Sequence, residues 1–220
     1  MLMNSIEFWT VNNPIRALIQ KYYETPRLKR LCSGQTDSVL EIGCGQGVGA
    51  KIIYDCFSPR EYVGIDLDSR MIDRARKKGQ GLVNARFLQG DASTLAFDDE
   101  SFDLVVDYAI IHHIPNWRDA LAEIHRTLRT NGEFLFEELS LDTWESGIGR
   151  PLKKILDHPY DRMFRQQEFV DELNKLGFET ETYEKKPLSF HYFWGKATKK
   201  QAADGQAADS FSQALTGSRH

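Results

Sequence analysis

The sequence predicts an α/β fold: a doubly wound, mostly parallel sheet of seven strands, with helices on both faces, a helical cap before it and an antiparallel strand pair at its end. Three observations predict this. Short apolar runs alternate with amphipathic helical stretches from Ser38 onward, the pattern of a parallel sheet covered on both faces. The first apolar run, Val39-Leu40-Glu41-Ile42, feeds directly into a loop in which Gly43, Gly45, Gly47 and Gly49 alternate with other residues. The last two apolar runs are joined by Lys185-Lys186-Pro187, far too short for a parallel crossover, so those two strands are antiparallel.

The bulk properties fit one globular unit. The chain has 220 residues, enough for a full core, with 41% hydrophobic and 27% charged residues. A net charge of −4 and the absence of a long basic run argue against nucleic acid as the main partner. Cys32, Cys44 and Cys56 form no CxxC pair, so neither a zinc site nor a disulfide framework is expected, and a reduced, cytoplasmic setting fits. The first residues lack the basic and apolar regions of a leader, and no apolar run is long enough to span a membrane.

In order along the chain, Ile6, Phe8, Trp9 and Val11 form an apolar cluster. Asn13-Pro14 has the form of a helix start, cap then first-turn proline. Ile15, Leu18, Ile19 and Tyr22 then mark one apolar face, which reads as a packing surface or as a lid turning Tyr22 and Tyr23 toward a substrate. A second short helix covers Pro26–Leu31. Strands are expected at Ser38–Ile42, Glu61–Asp66, Asn84–Gln89, Phe102–Tyr108 and Glu133–Glu138, the last preceded by a turn at Asn131-Gly132. Helices are expected at Ala50–Phe57, from a Ser69 cap through Lys78, at Trp117–Leu128 and at Gln166–Leu176. Strands at Phe178–Lys185 and Leu188–Thr198 close the fold. Residues 140–165 are irregular and long for a connection, which marks them as an insertion and a candidate substrate lid. The domain plan is therefore a helical cap over residues 1–35, the α/β domain over 36–198 and a polar, disordered tail over 199–220.

In such sheets ligands bind at the carboxyl edge, where the strand order reverses. The glycine loop, Asp66, Asp91 and Asp107 all fall on that edge. Gly45-Gln46-Gly47-Val48-Gly49-Ala50, with Asp66 downstream, also satisfies a loose dinucleotide fingerprint, which keeps an NAD-dependent oxidoreductase as an alternative. Glu41 before the loop, Asp91 after the third strand and the closing antiparallel pair point elsewhere. A carboxylate at Glu41 can accept hydrogen bonds from the loop or face a cationic amino-acid group, and Asp91 is positioned for an exocyclic amine.

These segments together resemble a known family. The motifs Val39 through Gly47, Gly64-Ile65-Asp66-Leu67-Asp68, Gln89-Gly90-Asp91-Ala92, Phe102-Asp103-Leu104-Val105-Val106 through Ile111-His112-His113-Ile114, and Leu128-Arg129-Thr130-Asn131-Gly132-Glu133 occur in family order and spacing. The stretch from Ser38 to Thr198 is similar to the class I S-adenosylmethionine-dependent methyltransferases with a Rossmann-like fold, in the small-molecule group that includes ubiquinone and menaquinone biosynthesis enzymes. The resemblance implies S-adenosyl-L-methionine as cofactor. It implies that Glu41, Gly43, Gly45 and Gly47 hold its methionine part and sugar edge, and that Asp66 takes both ribose hydroxyls. It places Leu67 and Met71 against the adenine, Asp91 on the adenine amine beside Ala92, and Asp107 and Tyr108 at the methionine end. A non-catalytic protein that keeps the cofactor pocket is the remaining alternative.

The transferred methyl sits on a good leaving group, so alignment and water exclusion are the main demands, and a base is needed only for a protonated acceptor. His112 is the candidate catalytic residue. His113, His191, Tyr192, Glu137 and Glu138 are further base candidates, although a structural role is expected for the His pair and for Glu138. Adjacent histidines point apart, and no third ligand is evident, so no metal is expected. The acceptor is a small molecule of unknown identity. Phe8, Trp9, Tyr22, Tyr23, Trp144, Tyr160 and Phe164 are the aromatic candidates for its pocket, in which they fit an apolar or ring-bearing compound, and they fit a packed cap equally well.

Overall fold

The computed structural model describes residues 13–147, 149–153, 159–187 and 190–201. The apolar cluster at Ile6–Val11, the start of the last expected strand at Leu188 and most of the polar tail lie outside these residues. Seven strands, β1 (Ser38–Ile42), β2 (Glu61–Asp66), β3 (Ala85–Gln89), β4 (Phe102–Tyr108), β5 (Leu128–Leu139), β6 (Phe178–Lys185) and β7 (Tyr192–Lys199), form one sheet. Its order is β3-β2-β1-β4-β5-β7-β6. β1 pairs in parallel with both β2 and β4, and β7 lies antiparallel between β5 and β6. The order reverses at β1, so a crevice opens between the loops that leave β1 and β4.

Alternation along the central strands explains why both faces are covered. Leu40, Ile42 and Val105 join a core with Leu121 and Ile124 of α5 (Trp117–Thr127) and Phe169 and Leu173 of α8 (Gln166–Lys175). Val39, Leu104 and Val106 join the opposite core with Ile53 of α3 (Val48–Phe57) and Ile72 of α4 (Ser69–Lys78). Every residue of β4 is buried, as a strand covered on two faces requires.

Several boundaries differ from those expected. α3 begins at Val48, because Gly47 at φ 82° supplies the left-handed step that starts it. Asp68, not Ser69, caps α4, its carboxylate accepting the Arg70 N–H. Asn131-Gly132 does not end an element. β5 starts at Leu128, and Asn131 at φ 65° accompanies a register shift against β4 between Phe102 and Leu104.

The cap consists of α1 (Pro14–Ile19), a π-helical turn at Gln20–Glu24 and α2 (Thr25–Leu31). Asn13 caps α1 through the Arg16 N–H. The face expected to pack is the outer one: Ile15 and Tyr22 are 65% and 69% exposed. The cap is held instead through α2, where Leu28 is buried and Arg27 lies between the rings of Tyr23 and Trp194, 3.8 and 4.2 Å from their centroids. The insertion carries two short helices, α6 (Asp142–Glu145) and α7 (Gly149–Leu152), and a 3-10 turn at Tyr160–Arg162. Phe164 from this segment is wholly buried against Trp117 and Phe169, so it is core rather than lid.

Candidate functional site

A cavity of about 390 Å³ opens at the carboxyl edges of β1, β2 and β4. The glycine loop forms its floor. Cys44 N–H donates to the Ile65 carbonyl (2.8 Å) and Gly47 N–H to the Cys44 carbonyl (2.9 Å), which ties the loop to β2. Gly43 (φ 63°) and Gly45 (φ 51°) both take the left-handed conformation. A Cβ at Gly43 would strike Ile110, whereas at Gly45 it would meet no atom within 4 Å. Gly45 therefore leaves its main chain open to a ligand.

Glu41 lines this cavity while only 2% exposed. It accepts the phenolic hydrogen of Tyr62. Burial pushes its carboxyl up to about 8, against the Tyr62 hydrogen bond and with smaller contributions from Asp66 and Asp107. Asp66, at the end of β2, accepts the Gly45 N–H (2.9 Å) on one oxygen and the Asp68 N–H (2.8 Å) on the other. Burial raises it above the ordinary carboxylate value, opposed by these two hydrogen bonds. Asp91 accepts both the N–H and the hydroxyl of Ser93, at 2.9 and 2.6 Å. Each of these carboxylates keeps acceptor capacity beyond the bonds it makes.

Leu67, Met71, Ala92, Tyr108 and His112 also line the cavity. Tyr108 is fixed by the Thr25 hydroxyl of α2, 2.9 Å from its phenolic oxygen, and burial pushes its own ionisation well up. His112 is 3% exposed, and its Nδ1 lies 2.5 Å from Glu138 Oε2. Glu138 accepts the N–H groups of Ile111 (2.6 Å), His112 (3.3 Å) and Leu139 (3.2 Å) as well. Burial raises Glu138 to about 7, and the neighbouring Asp107 carboxyl, followed by those hydrogen bonds, holds it from rising further.

Two of the expected site residues stand behind the cavity rather than on it. Gly47 serves helix packing: a Cβ there would lie 2.9 Å from Ala75 Cα of α4. Asp107 is wholly buried, and one oxygen accepts the Ile110 N–H at 3.0 Å, while the other has no hydrogen-bond partner. Burial and the neighbouring charge of Glu138 hold Asp107 well above the usual carboxylate range. The rings of His112 and His113 do not point apart. They lie side by side, 4.1 Å between centroids, because a 3-10 turn over Ile111–His113 places them there. Glu137 is bonded to Arg27 at 3.1 Å, away from the cavity. Among the described residues, no group of three His, Cys, Asp or Glu side chains could hold a metal ion.

Of the aromatic candidates among the described residues, Trp144 lines the cavity, and Tyr22, Tyr23, Tyr160 and Phe164 do not. Sequence reasoning missed Arg16 and Gln20 of the cap and Ile110, Pro115 and Asn116 after β4. Only the helical period around Ile15 carried a signal. Once its apolar stripe faces outward, Arg16 and Gln20, one turn apart, are left on another side of the helix. Arg16 is paired with buried Glu24 at 2.5 Å. Glu41, Asp66 and Asp91 give the wall an acidic part beside the loop, and Ile114, Pro115, Leu139 and Trp144 give it an apolar part. Such an acidic wall over an open glycine suits a ligand with cationic groups and vicinal hydroxyls.

Residues 40–136 match the family model described as a methyltransferase domain. A phthiotriol/phenolphthiotriol dimycocerosates methyltransferase of Mycobacterium tuberculosis is 36% identical over 149 residues, 66% of this chain and 54% of that protein. A fatty-acid O-methyltransferase of Mycolicibacterium smegmatis is 36% identical over 114 residues, covering 50% of this chain and 41% of that protein. The chain thus spans about half the length of the curated relatives it matches. A solved structure of a SAM-dependent methyltransferase from Methanosarcina mazei shares the fold, with a TM-score of 0.65 at 22% identity over 80% of this chain and 98% of that one. Among the described residues, no helix is long and apolar enough to cross a membrane. The glycine loop left two cofactor classes open, and the family match decides between them: the chain carries a class I S-adenosylmethionine-dependent methyltransferase domain, whose cofactor is S-adenosylmethionine.

Proposed function

We propose that the protein transfers a methyl group from S-adenosylmethionine to an apolar small-molecule acceptor of lipid character. The observation that carries this is one cavity whose lining combines the glycine loop and the acidic Glu41, Asp66 and Asp91 with the apolar Ile114, Pro115, Leu139 and Trp144. Relatives named for dimycocerosates and for a fatty acid support an acceptor with a long apolar portion.

In this reading Glu41, Gly43 and Gly45 face the methionine part of the cofactor, and Tyr108 closes that end. Asp66 takes the ribose hydroxyls, Leu67 and Met71 flank the adenine, and Asp91 with Ala92 takes its amine edge. Gly47 and Asp107 act from behind, the first by letting α3 approach α4 and the second by fixing the Ile110 N–H. The bound cofactor supplies an electrophilic methyl on a sulfonium leaving group. The chain supplies alignment of the acceptor behind that methyl and exclusion of water. Arg16 and Gln20 carry the cap over the cavity for the second purpose.

Calorimetry with S-adenosylmethionine, S-adenosylhomocysteine and NAD tests the cofactor end. Binding of both sulfur compounds without NAD is expected, and NAD binding alone would overturn it. Methyl transfer from labelled cofactor to a panel of long-chain and short polar acceptors tests the other end, with long-chain products expected. Product from short polar acceptors alone would refute the lipid character.

A further inference from the structure

We propose that the outer face of the helical cap docks on an anionic lipid surface, and so brings the cavity beneath it to a lipid-borne acceptor. This rests on the lipid-acceptor reading above and names the partner of the same site.

The inference starts from where large apolar side chains are left exposed. Among the described residues there are eight, and five of them, Ile15, Leu18, Ile19, Tyr22 and Tyr23, fall within the cap. Single exposed side chains scattered over a surface need no explanation, but a patch does. α1, the π-helical turn and α2 follow one another from Pro14 to Leu31 without a break, so Ile15, Leu18, Ile19 and Tyr22 form one stripe. Arg16 and Gln20, on another side of the same run, line the cavity. One helical run therefore turns a polar side to the cavity and an apolar side outward.

Charge decides what covers the stripe. The chain as a whole carries −4, yet from Asn13 to Leu31 the cap has Arg16, Lys21, Arg27, Lys29 and Arg30 against a single acid, Glu24. Glu24 is buried and paired with Arg16, and Arg27 is paired with Glu137. Lys21, Lys29 and Arg30 are exposed and have no carboxylate partner among the described residues. Lys21 Nζ lies 5.4 Å from the centre of the Tyr22 ring, and Lys185 Nζ of β6 lies 5.6 Å from that of Tyr23. Each exposed tyrosine thus has an ammonium group at its face. On β6, Glu184 is paired with Lys186 at 3.2 Å, and Glu181 takes the Tyr183 hydroxyl. Aliphatic side chains, tyrosines and unpaired cations on one short helical run match the boundary between acyl chains and anionic headgroups. The aliphatic groups enter the acyl edge, the rings stand at headgroup level and the cations meet phosphates.

A second copy of the chain fits this face less well. A two-fold contact sets the same patch against itself, and the cap exposes no acid to meet its own cations. With the stripe in the headgroup layer, an acceptor with a long apolar chain moves between bilayer and cavity past the edge of the cap, and its chain is kept from water.

Vesicle sedimentation tests the docking. The full chain is mixed with vesicles of equimolar phosphatidylcholine and phosphatidylglycerol, and with vesicles of phosphatidylcholine alone. Binding to the mixed vesicles is expected, at least about 10-fold tighter than to the neutral ones and weakened by salt. Leu18→Glu should weaken it at least about 10-fold, the share of one buried leucine side chain. Lys21→Glu should weaken binding to the mixed vesicles by about 10-fold or more, through the reversed charge. Val83→Glu, at a site 73% exposed outside the cap, should stay within about two-fold of the wild type. Unchanged melting temperature and S-adenosylmethionine affinity establish that each variant is folded. No binding by the wild type, equal binding to both vesicle types, or wild-type binding by both cap variants would overturn the proposal. A dimer in sedimentation velocity that Leu18→Glu dissociates would overturn it too, since a second copy would then cover the stripe. The two readings fail separately. Vesicle binding without long-chain product in the acceptor panel would sink the lipid-acceptor reading and keep the docking surface. Long-chain product from micelles without vesicle binding would keep the acceptor reading and sink the docking.

Discussion

Glu41 occupies the space where a side chain at residue 49 would stand: a Cβ on Gly49 would fall inside the Oε1 atom of Glu41. The glycine is required by the carboxyl of the neighbouring strand and not by its own backbone angles. Gly49→Ala must push Glu41 off its Tyr62 partner or move α3. A loss of about 1–3 kcal/mol in stability is expected, as for other overpacked sites, together with weaker S-adenosylmethionine binding. Denaturant melts and calorimetry on one preparation check both, and unchanged values in both would mean that Glu41 has another place to go.

Asp66 ties the glycine loop to β2 through the Gly45 N–H while standing in the cavity. Asp66→Ala is expected to weaken S-adenosylmethionine binding by about 1–3 kcal/mol, the usual loss for charge-assisted hydrogen bonds. Asp66→Asn should recover part of this, because the amide oxygen still accepts one bond. Equal affinity of all three proteins would remove Asp66 from the cofactor site.

The elevated carboxyl of Glu41 makes the stability of the ligand-free protein depend on pH. Its value rises on folding from 4.5 to about 8, so its contribution is fully present below about 4.5 and is lost as the pH climbs through about 8. Glu138, raised to about 7, has the same sign. Melting temperature should therefore fall between mildly acidic and mildly alkaline buffer, and Glu41→Gln should flatten the fall because the amide stays neutral. A Glu41→Gln profile parallel to the wild type would show that the carboxyl does not titrate in this range.

Arg27 is the attachment of the cap. Its guanidinium lies between Tyr23 and Trp194 and donates to buried Glu137 at 3.1 Å, with the other Arg27 terminal nitrogen and the other Glu137 oxygen unpartnered. Burial and nearby Glu24 hold Glu137 well above the ordinary carboxylate range, against the pull of Arg27. Arg27→Met should cost on the order of 3 kcal/mol, since it strands a buried carboxyl. Because the cap reaches the cavity through Arg16 and Gln20, cofactor release should also become faster. Leu18→Glu, on the 55% exposed outer face, should change stability by less than about 0.5 kcal/mol. Hydrogen exchange along residues 14–31 separates the two variants.

Much of this architecture was legible because it is local. The short apolar runs at Val39–Ile42 and Phe102–Tyr108, the alternation of strand and helix and the short link after Lys185 each depend on neighbours in the chain, and the parallel sheet with its antiparallel end follows from them. The glycine loop and the strand-end carboxylates Asp66 and Asp91 were legible for the same reason, since fold topology alone brings strand ends to one edge.

What only the tertiary structure decided is the direction in which side chains point across chain-distant contacts. An apolar stripe at Ile15, Leu18 and Ile19 has the same period whether it faces core or water, and the Arg27 clamp on β5 and β7 turned it outward. Asp107 sits at a strand end like Asp66, yet the Ile110 N–H and Glu138 draw it under the loop. Tyr62 was read as an ordinary strand residue, and its bond to Glu41 spans two strands. Trp144 reaches the cavity while Phe164, from the same insertion, enters the core. By itself the sequence determined the sheet, the loop and the edge at which the cavity opens. Which groups meet at that edge, and with what protonation, was decided by packing, because burial and hydrogen-bond partners are properties of the assembled core and not of any one segment.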